Sequence, residues 1–166
     1  MRTLFIGGVL ALLVFLLAAC GGASVSSADQ AVIRDADLYA IDGIEKSFHK
    51  SMSTHDIELM MSLWAPNATF TVGPGQTATG KQEIRAYWLK KSKAFRPTTH
   101  WVSETPAYKV RATAHGDRGT LTFECHYIDV NKKNLVVVTA ADIEVAKIDG
   151  RWLITNMVPA SASLTS

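Results

Sequence analysis

The sequence predicts an α+β fold in which helices come first and cover one face of a curved, mainly antiparallel sheet. Three observations carry that expectation. Apolar residues recur at three- and four-residue steps up to about residue 90, the pattern turns to strands from about residue 100, and turn-forming clusters punctuate the second half. With 166 residues, 48% hydrophobic and 19% charged, the chain suits one compact domain. A formal net charge of +2 leaves no broad basic footprint for nucleic acid. The one basic cluster, Lys90-Lys91-Ser92-Lys93 with Arg96 beyond it, reads as the solvated end of a helix, where cations suit the macrodipole.

The first segment is a leader rather than part of the fold. Arg2 supplies a positive charge, and Leu4 to Ala19 is an unbroken run of apolar residues and glycines. At about 16 residues the run is shorter than the ~20 needed to cross the hydrocarbon of a bilayer. It ends in Leu17-Ala18-Ala19-Cys20, followed by Gly21-Gly22. This ending resembles a bacterial lipobox. The resemblance implies removal of residues 1–19 and lipidation of Cys20, with palmitate-like acyl chains holding the protein on a membrane. Gly21, in place of an acid, resembles sorting to the outer membrane facing the periplasm. Residues 20–28 are small and polar and read as a tether. Only Cys125 then remains as a free thiol, so the mature chain has no intramolecular disulfide and its fold rests on its core.

Beyond the tether, Ile33, Ala36, Ala40, Ile44, Phe48 and Met52 give one apolar face to a first helix. Ser53-Thr54-His55-Asp56 resembles a new helix start, with Ile57, Met60, Met61 and Trp64 as its stripe and Pro66-Asn67 as its stop. A short strand is expected over 68–72, closed by Gly73-Pro74-Gly75. Thr79-Gly80-Lys81-Gln82 has capping-box spacing and opens a third helix with Ile84, Tyr87 and Trp88 on one side. Strands follow at about 100–114, 119–130, 135–147 and 151–158, separated by clusters at 115–119, 131–134 and 149–150. Residues 161–166 are left as a tail.

Three stretches together, "IEKSFHKSMSTHDIELMMSLWAPNATFTV", "TGKQEIRAYW" and "DGRWLITNMV", resemble the nuclear-transport-factor-two-like superfamily, and within it the SnoaL-like branch. The resemblance covers residues 29–160. It implies a cone-shaped half-barrel with an apolar pocket between helices and sheet, often dimerising through the sheet. A homodimer is therefore expected, with a small apolar molecule as ligand. The family contains isomerases, cyclases and dehydratases as well as non-catalytic modules.

The ketosteroid-isomerase-like pattern of that family needs a tyrosine in the first helix, a carboxylate base near the end of the first strand and an acid in the penultimate long strand. On this chain the acid falls on Asp142, the tyrosine position on Phe48 and the base position near Val72. Without a base, no proton is taken from carbon beside a carbonyl. Asp142 remains the candidate catalytic residue. An even-length loop near Lys132-Lys133 would place it beside Leu121, Phe123 and Cys125, where apolar surroundings favour a neutral, hydrogen-bond-donating carboxyl. An odd-length loop would put it with Glu124 and His126 instead. The expectation is the first arrangement, with Asp142 at least half-buried in the cavity.

Tyr87, Trp88, Trp101 and Phe123 are the remaining candidates for the ligand-binding wall. The five histidines show no paired spacing, so neither a metal site nor a cofactor is expected. His55 reads as a solvated residue of a helix's first turn, His49 as a surface residue with the pocket mouth as its alternative, and Cys125 as a small core residue. A rival reading is a structural module that fills its own pocket and pairs its sheet face with another protein. An empty cavity of ~300 Å³ or more separates the two. For the leader, the expected outcome is that Cys20 begins the mature chain, and that Cys20→Ser moves the protein out of washed membranes. A variant that stays with the membranes would count against the lipobox.

Overall fold

The computed structural model describes residues 26–95, 104–129 and 133–160. Residues 1–19, expected as a leader, Cys20, His100, Trp101 and residues 161–166 lie outside them. Three helices pack on a six-stranded, open and curved sheet. The helices are α1 (Ser27–Ser53), α2 (Ile57–Ser62) and α3 (Gly80–Lys91). The strands are β1 (Trp64–Gly73), β2 (Gln76–Thr79), β3 (Glu104–His115), β4 (Arg118–Asp129), β5 (Asn134–Ile148) and β6 (Arg151–Pro159), and their order across the sheet is β2-β1-β6-β5-β4-β3. Only β1 and β6 are parallel; every other neighbour is antiparallel.

Helix α1 begins at Ser27 because the Ser26 hydroxyl accepts the Asp29 amide at 3.1 Å, so the tether ends earlier than the composition suggests. Its buried face is also turned relative to the expected stripe. Ile33, Ala36 and Ala40 are exposed, while Asp37, Ile41, Ile44, Glu45, Phe48, His49 and Met52 face inward. Thr54 ends α1, and the cap of α2 is Asp56, whose carboxylate accepts the Leu59 amide at 2.8 Å. His55 between them takes a left-handed φ of 58°, and its Nδ1 meets the carbonyl of Ala94. Trp64, expected at the end of α2, opens β1 instead, and Pro66 and Asn67 lie within that strand. Gly73-Pro74-Gly75 is a hairpin turn leading into β2, with Gly75 at φ 67°. Helix α3 is capped in reverse of the expected hydroxyl cap: the Thr79 amide donates to Glu83 at 2.8 Å.

Gly119 fixes how close α1 comes to the sheet. A Cβ there would sit 2.4 Å from the Thr113 carbonyl oxygen and 2.9 Å from Ile41 Cδ1. Ile41 is accordingly fully buried, with Leu121, Ile143 and Val145 around the same inner face of the sheet. Bulges in β5 and β6 bend those strands. Val136 is an extra residue of β5 between the pairs Tyr127–Val137 and Ile128–Leu135. Thr155 is an extra residue of β6, and its hydroxyl donates to the Glu144 carbonyl at 3.1 Å. Bulges raise local twist, which curls a flat meander into an open cone.

Three turns into α1, buried Asp37 accepts Trp152 Nε1–H at 2.9 Å and pairs with Lys147 Nζ at 2.6 Å, while that ammonium lies 5.5 Å from the Trp152 ring centroid. The Lys147 hydrogen bond, against the opposing effect of burial and with help from Trp152, holds the Asp37 carboxyl below its ordinary value of 3.8. A carboxyl that titrates lower when folded stabilises fully above its unfolded pKa and loses that contribution as pH falls through the folded value. Asp37→Asn should therefore lower stability at pH 7 by about 1–3 kcal/mol. In parallel thermal melts the gap from the unsubstituted protein should close below about pH 4.

Candidate functional site

The site grows from the apolar contacts between α1, α3 and the inner face of β4 and β5. Phe48 from α1 tilts against Phe123 of β4 at 5.2 Å between ring centroids and meets Trp88 of α3 edge-on at 5.7 Å. Phe70 of β1 stacks on Trp88 at 5.3 Å and meets Tyr87 at 90° and 5.2 Å. These rings do not fill the space they enclose. They wall a cavity of about 320 Å³, completed by Met52, Met157 and the 138–141 segment of β5. Two buried polar atoms of its lining have no hydrogen-bond partner among the described residues: Trp88 Nε1 and Thr139 Oγ1. Every other lining side chain is apolar, apart from the half-buried Tyr87.

Tyr87, Trp88 and Phe123 thus line the cavity. Trp101 lies outside the described residues. Asp142 is elsewhere: it is exposed on the outer face of the sheet, where Thr122 Oγ1 donates to its Oδ1 at 2.8 Å. The expectation of a buried acid fails for an identifiable reason. The β4–β5 hairpin does close over four residues, with Asp129 opposite Asn134, as the inward placement requires. The bulge at Val136 then shifts the register by one, so Asp142 pairs with Thr122 while Ala141 pairs with Phe123. Ala141, rather than the acid, faces the cavity. Phe48, at the family's tyrosine position, is part of the wall, and Val72, at the base position, packs partly buried against the core.

Beside the cavity the structure assembles a group that sequence reading missed. Glu45 and His49, one turn apart on α1, lie against Cys125 of β4, all three buried. His49 Nε2 contacts both Glu45 Oε1, at 2.8 Å, and Cys125 Sγ. Glu45 Oε2 is buried with no hydrogen-bond partner among the described residues. The four-residue spacing of Glu45 and His49 was legible as a shared helix face. That this face points inward, and at Cys125, was not. On the outer face, His126 Nε2 contacts Glu124 Oε1 at 2.7 Å as a second buried pair.

A helical cover over one face of a mixed six-stranded sheet, with an apolar cavity between the layers, defines the conical NTF2-like class. Residues 44–153 match the SnoaL-like domain, and the chain belongs to that family. Among curated proteins no match is found. Solved structures agree on the fold. An NTF2-like protein of unknown function from Pseudomonas putida KT2440 superposes with a TM-score of 0.62 at 13% identity, covering 77% of this chain and 88% of that one. An NTF2-like protein with a cystatin-like fold from Novosphingobium aromaticivorans gives 0.61 at 16% identity, covering 83% and 91%. A ketosteroid isomerase-like protein from Erwinia carotovora atroseptica gives 0.51 at 16% identity, covering 76% and 98%.

The unpaired hydroxyl of Thr139 gives a direct test of the lining. A buried polar group without a partner costs stability, and valine keeps its shape without the hydroxyl. Thr139→Val should raise stability of the ligand-free protein by about 1 kcal/mol in denaturant titrations.

Proposed function

We propose that this chain is a lipid-anchored envelope protein whose conical domain binds a small, largely apolar molecule carrying a hydrogen-bond acceptor. The observation that carries this reading is the cavity of about 320 Å³. Its volume lies at the lower end of the range for small-molecule sites, about 300–1,000 Å³. Its chemistry also fits, with aromatic and aliphatic walls for burial and few polar atoms for orientation. Trp88 Nε1–H is a donor only, and the Thr139 hydroxyl donates or accepts. A carbonyl or ether oxygen would give both a partner.

The same lining supports binding rather than proton transfer. An isomerase of the ketosteroid type needs a carboxylate within reach of the substrate carbon. Here the corresponding place holds Val72, the acid Asp142 faces outward, and no carboxylate lines the cavity among the described residues. Anchoring through lipid on Cys20, and pairing of two copies through the outer sheet face, complete the proposal. Their support is the sequence of the leader and the family resemblance.

Native mass spectrometry of the protein purified from its host tests the reading. One small molecule per chain is the expected added mass. Extracted and returned to the empty protein, that molecule should bind at least about tenfold more weakly to Ala141→Leu, which puts side chain into the cavity, and about fivefold more weakly to Trp88→Phe, which removes one donor. Protein that carries no small molecule and binds no apolar fluorescent probe would instead favour the structural module.

A further inference from the structure

We infer that Glu45, His49 and Cys125 form a binding site for a thiophilic divalent metal ion of the zinc class. The inference is independent of whether the neighbouring cavity holds a ligand. The ligand atoms that the three residues offer lie within 4.8 Å of one another, and all three side chains are buried, with Glu45 1%, His49 3% and Cys125 0% exposed. Zinc bound at about 2.0–2.3 Å from such atoms needs its ligands about 3–4 Å apart. Nε2 and Oε1, at 2.8 Å, would part by about half an ångström to admit an ion, a small rotation for side chains on one helix.

The internal chemistry of the cluster points the same way. Sγ and Oε1 both address one ring nitrogen, Nε2. That nitrogen carries either one hydrogen or one lone pair, so it cannot make a full hydrogen bond to both groups. The other carboxyl oxygen, Oε2, is buried without a partner among the described residues, which is costly for a polar group. An ion removes both difficulties, because each donor then directs a lone pair at the metal. Thiolate and carboxylate together bring two negative charges and neutral imidazole none, so a divalent ion makes the buried group electroneutral. Sulfur, nitrogen and one carboxylate oxygen is a zinc donor set, whereas calcium and magnesium take oxygen ligands. Three protein ligands leave a fourth position for water or another donor. Binding converts the Cys125 thiol to a metal-bound thiolate and releases its proton to solvent, so occupancy should fall at acid pH.

Cobalt(II) tests this, because it replaces zinc in such sites and reports thiolate ligation by colour. In the Cys20→Ser chain, Cys125 is the one remaining thiol. That chain, produced in cobalt-supplemented medium, should contain one cobalt per molecule and show a thiolate-to-cobalt charge-transfer band, which zinc then abolishes. A further Cys125→Ser change should remove the band while the protein still melts cooperatively. Glu45→Gln, isosteric and uncharged, should keep the band but weaken cobalt affinity by at least about tenfold, since loss of even an outer-shell partner costs about 10–100-fold. Folded protein with no charge-transfer band, or a band that survives Cys125→Ser, would overturn the proposal and leave a thiol–imidazole–carboxylate hydrogen-bond group in its place.

Discussion

The packing of α1 along the inner face of β4 governs the rest of the molecule. At one end Gly119, lacking a side chain, leaves room for Ile41, and further along His49 meets Cys125. Residue numbers rise together on both elements, so helix and strand run in the same sense. Asp37, tied to Trp152 and Lys147, adds a polar fastening near the start of that contact. With α1 held in this way, Phe48 and Met52 are carried over the far part of the sheet, where they wall the cavity with Trp88 and Phe123. The cavity is therefore a result of spacing between layers set elsewhere, and its size depends on residues that never touch it.

The SnoaL-like architecture is compatible with proton-transfer chemistry, but fold alone does not confer it. Among the described residues the wall is largely apolar and carries neither of the carboxyl groups of the isomerase-like pattern. Phe48 contributes ring area where the isomerase-like pattern has a hydroxyl, and Ala141 occupies the inward position next to the outward-facing Asp142. One group of buried ionisable side chains, Glu45–His49–Cys125, lies instead beside the cavity.

Much of this architecture was legible because it is local. The limits of β4, β5 and β6 followed from turn clusters to within a residue or two, and the aromatic side of α3 from helical spacing. By contrast, β1 begins at Trp64 rather than Ala68, and β2 was not expected. The wall residues Tyr87, Trp88 and Phe123 were visible as aromatic positions on inward-facing stripes. What failed depended on single-residue phase or on distance along the chain. The inward face of α1 lies to one side of the expected stripe because Asp37 and His49 are buried through partners on the sheet and Glu45 through His49, which polarity alone disguises. His49 and Cys125 are 76 residues apart, so no local spacing announces their contact. Asp142 was misplaced although its loop length was read correctly, because nothing in "LVVV" marks Val136 as the extra residue.

That bulge has a consequence for how the chain tolerates change. In a plain hairpin, adding or removing one residue at the turn rotates a whole strand face by half a turn and exchanges core for solvent. Here a surplus residue already sits between the turn and the cavity-facing part of β5. A one-residue deletion at the turn could be offset by moving or losing the bulge, so the positions from Thr139 to Val145 would keep their facing. The bulge thus serves as a phase reservoir. It separates the freedom of the hairpin tip to vary in length from the fixed alternation on which the wall of the cone depends.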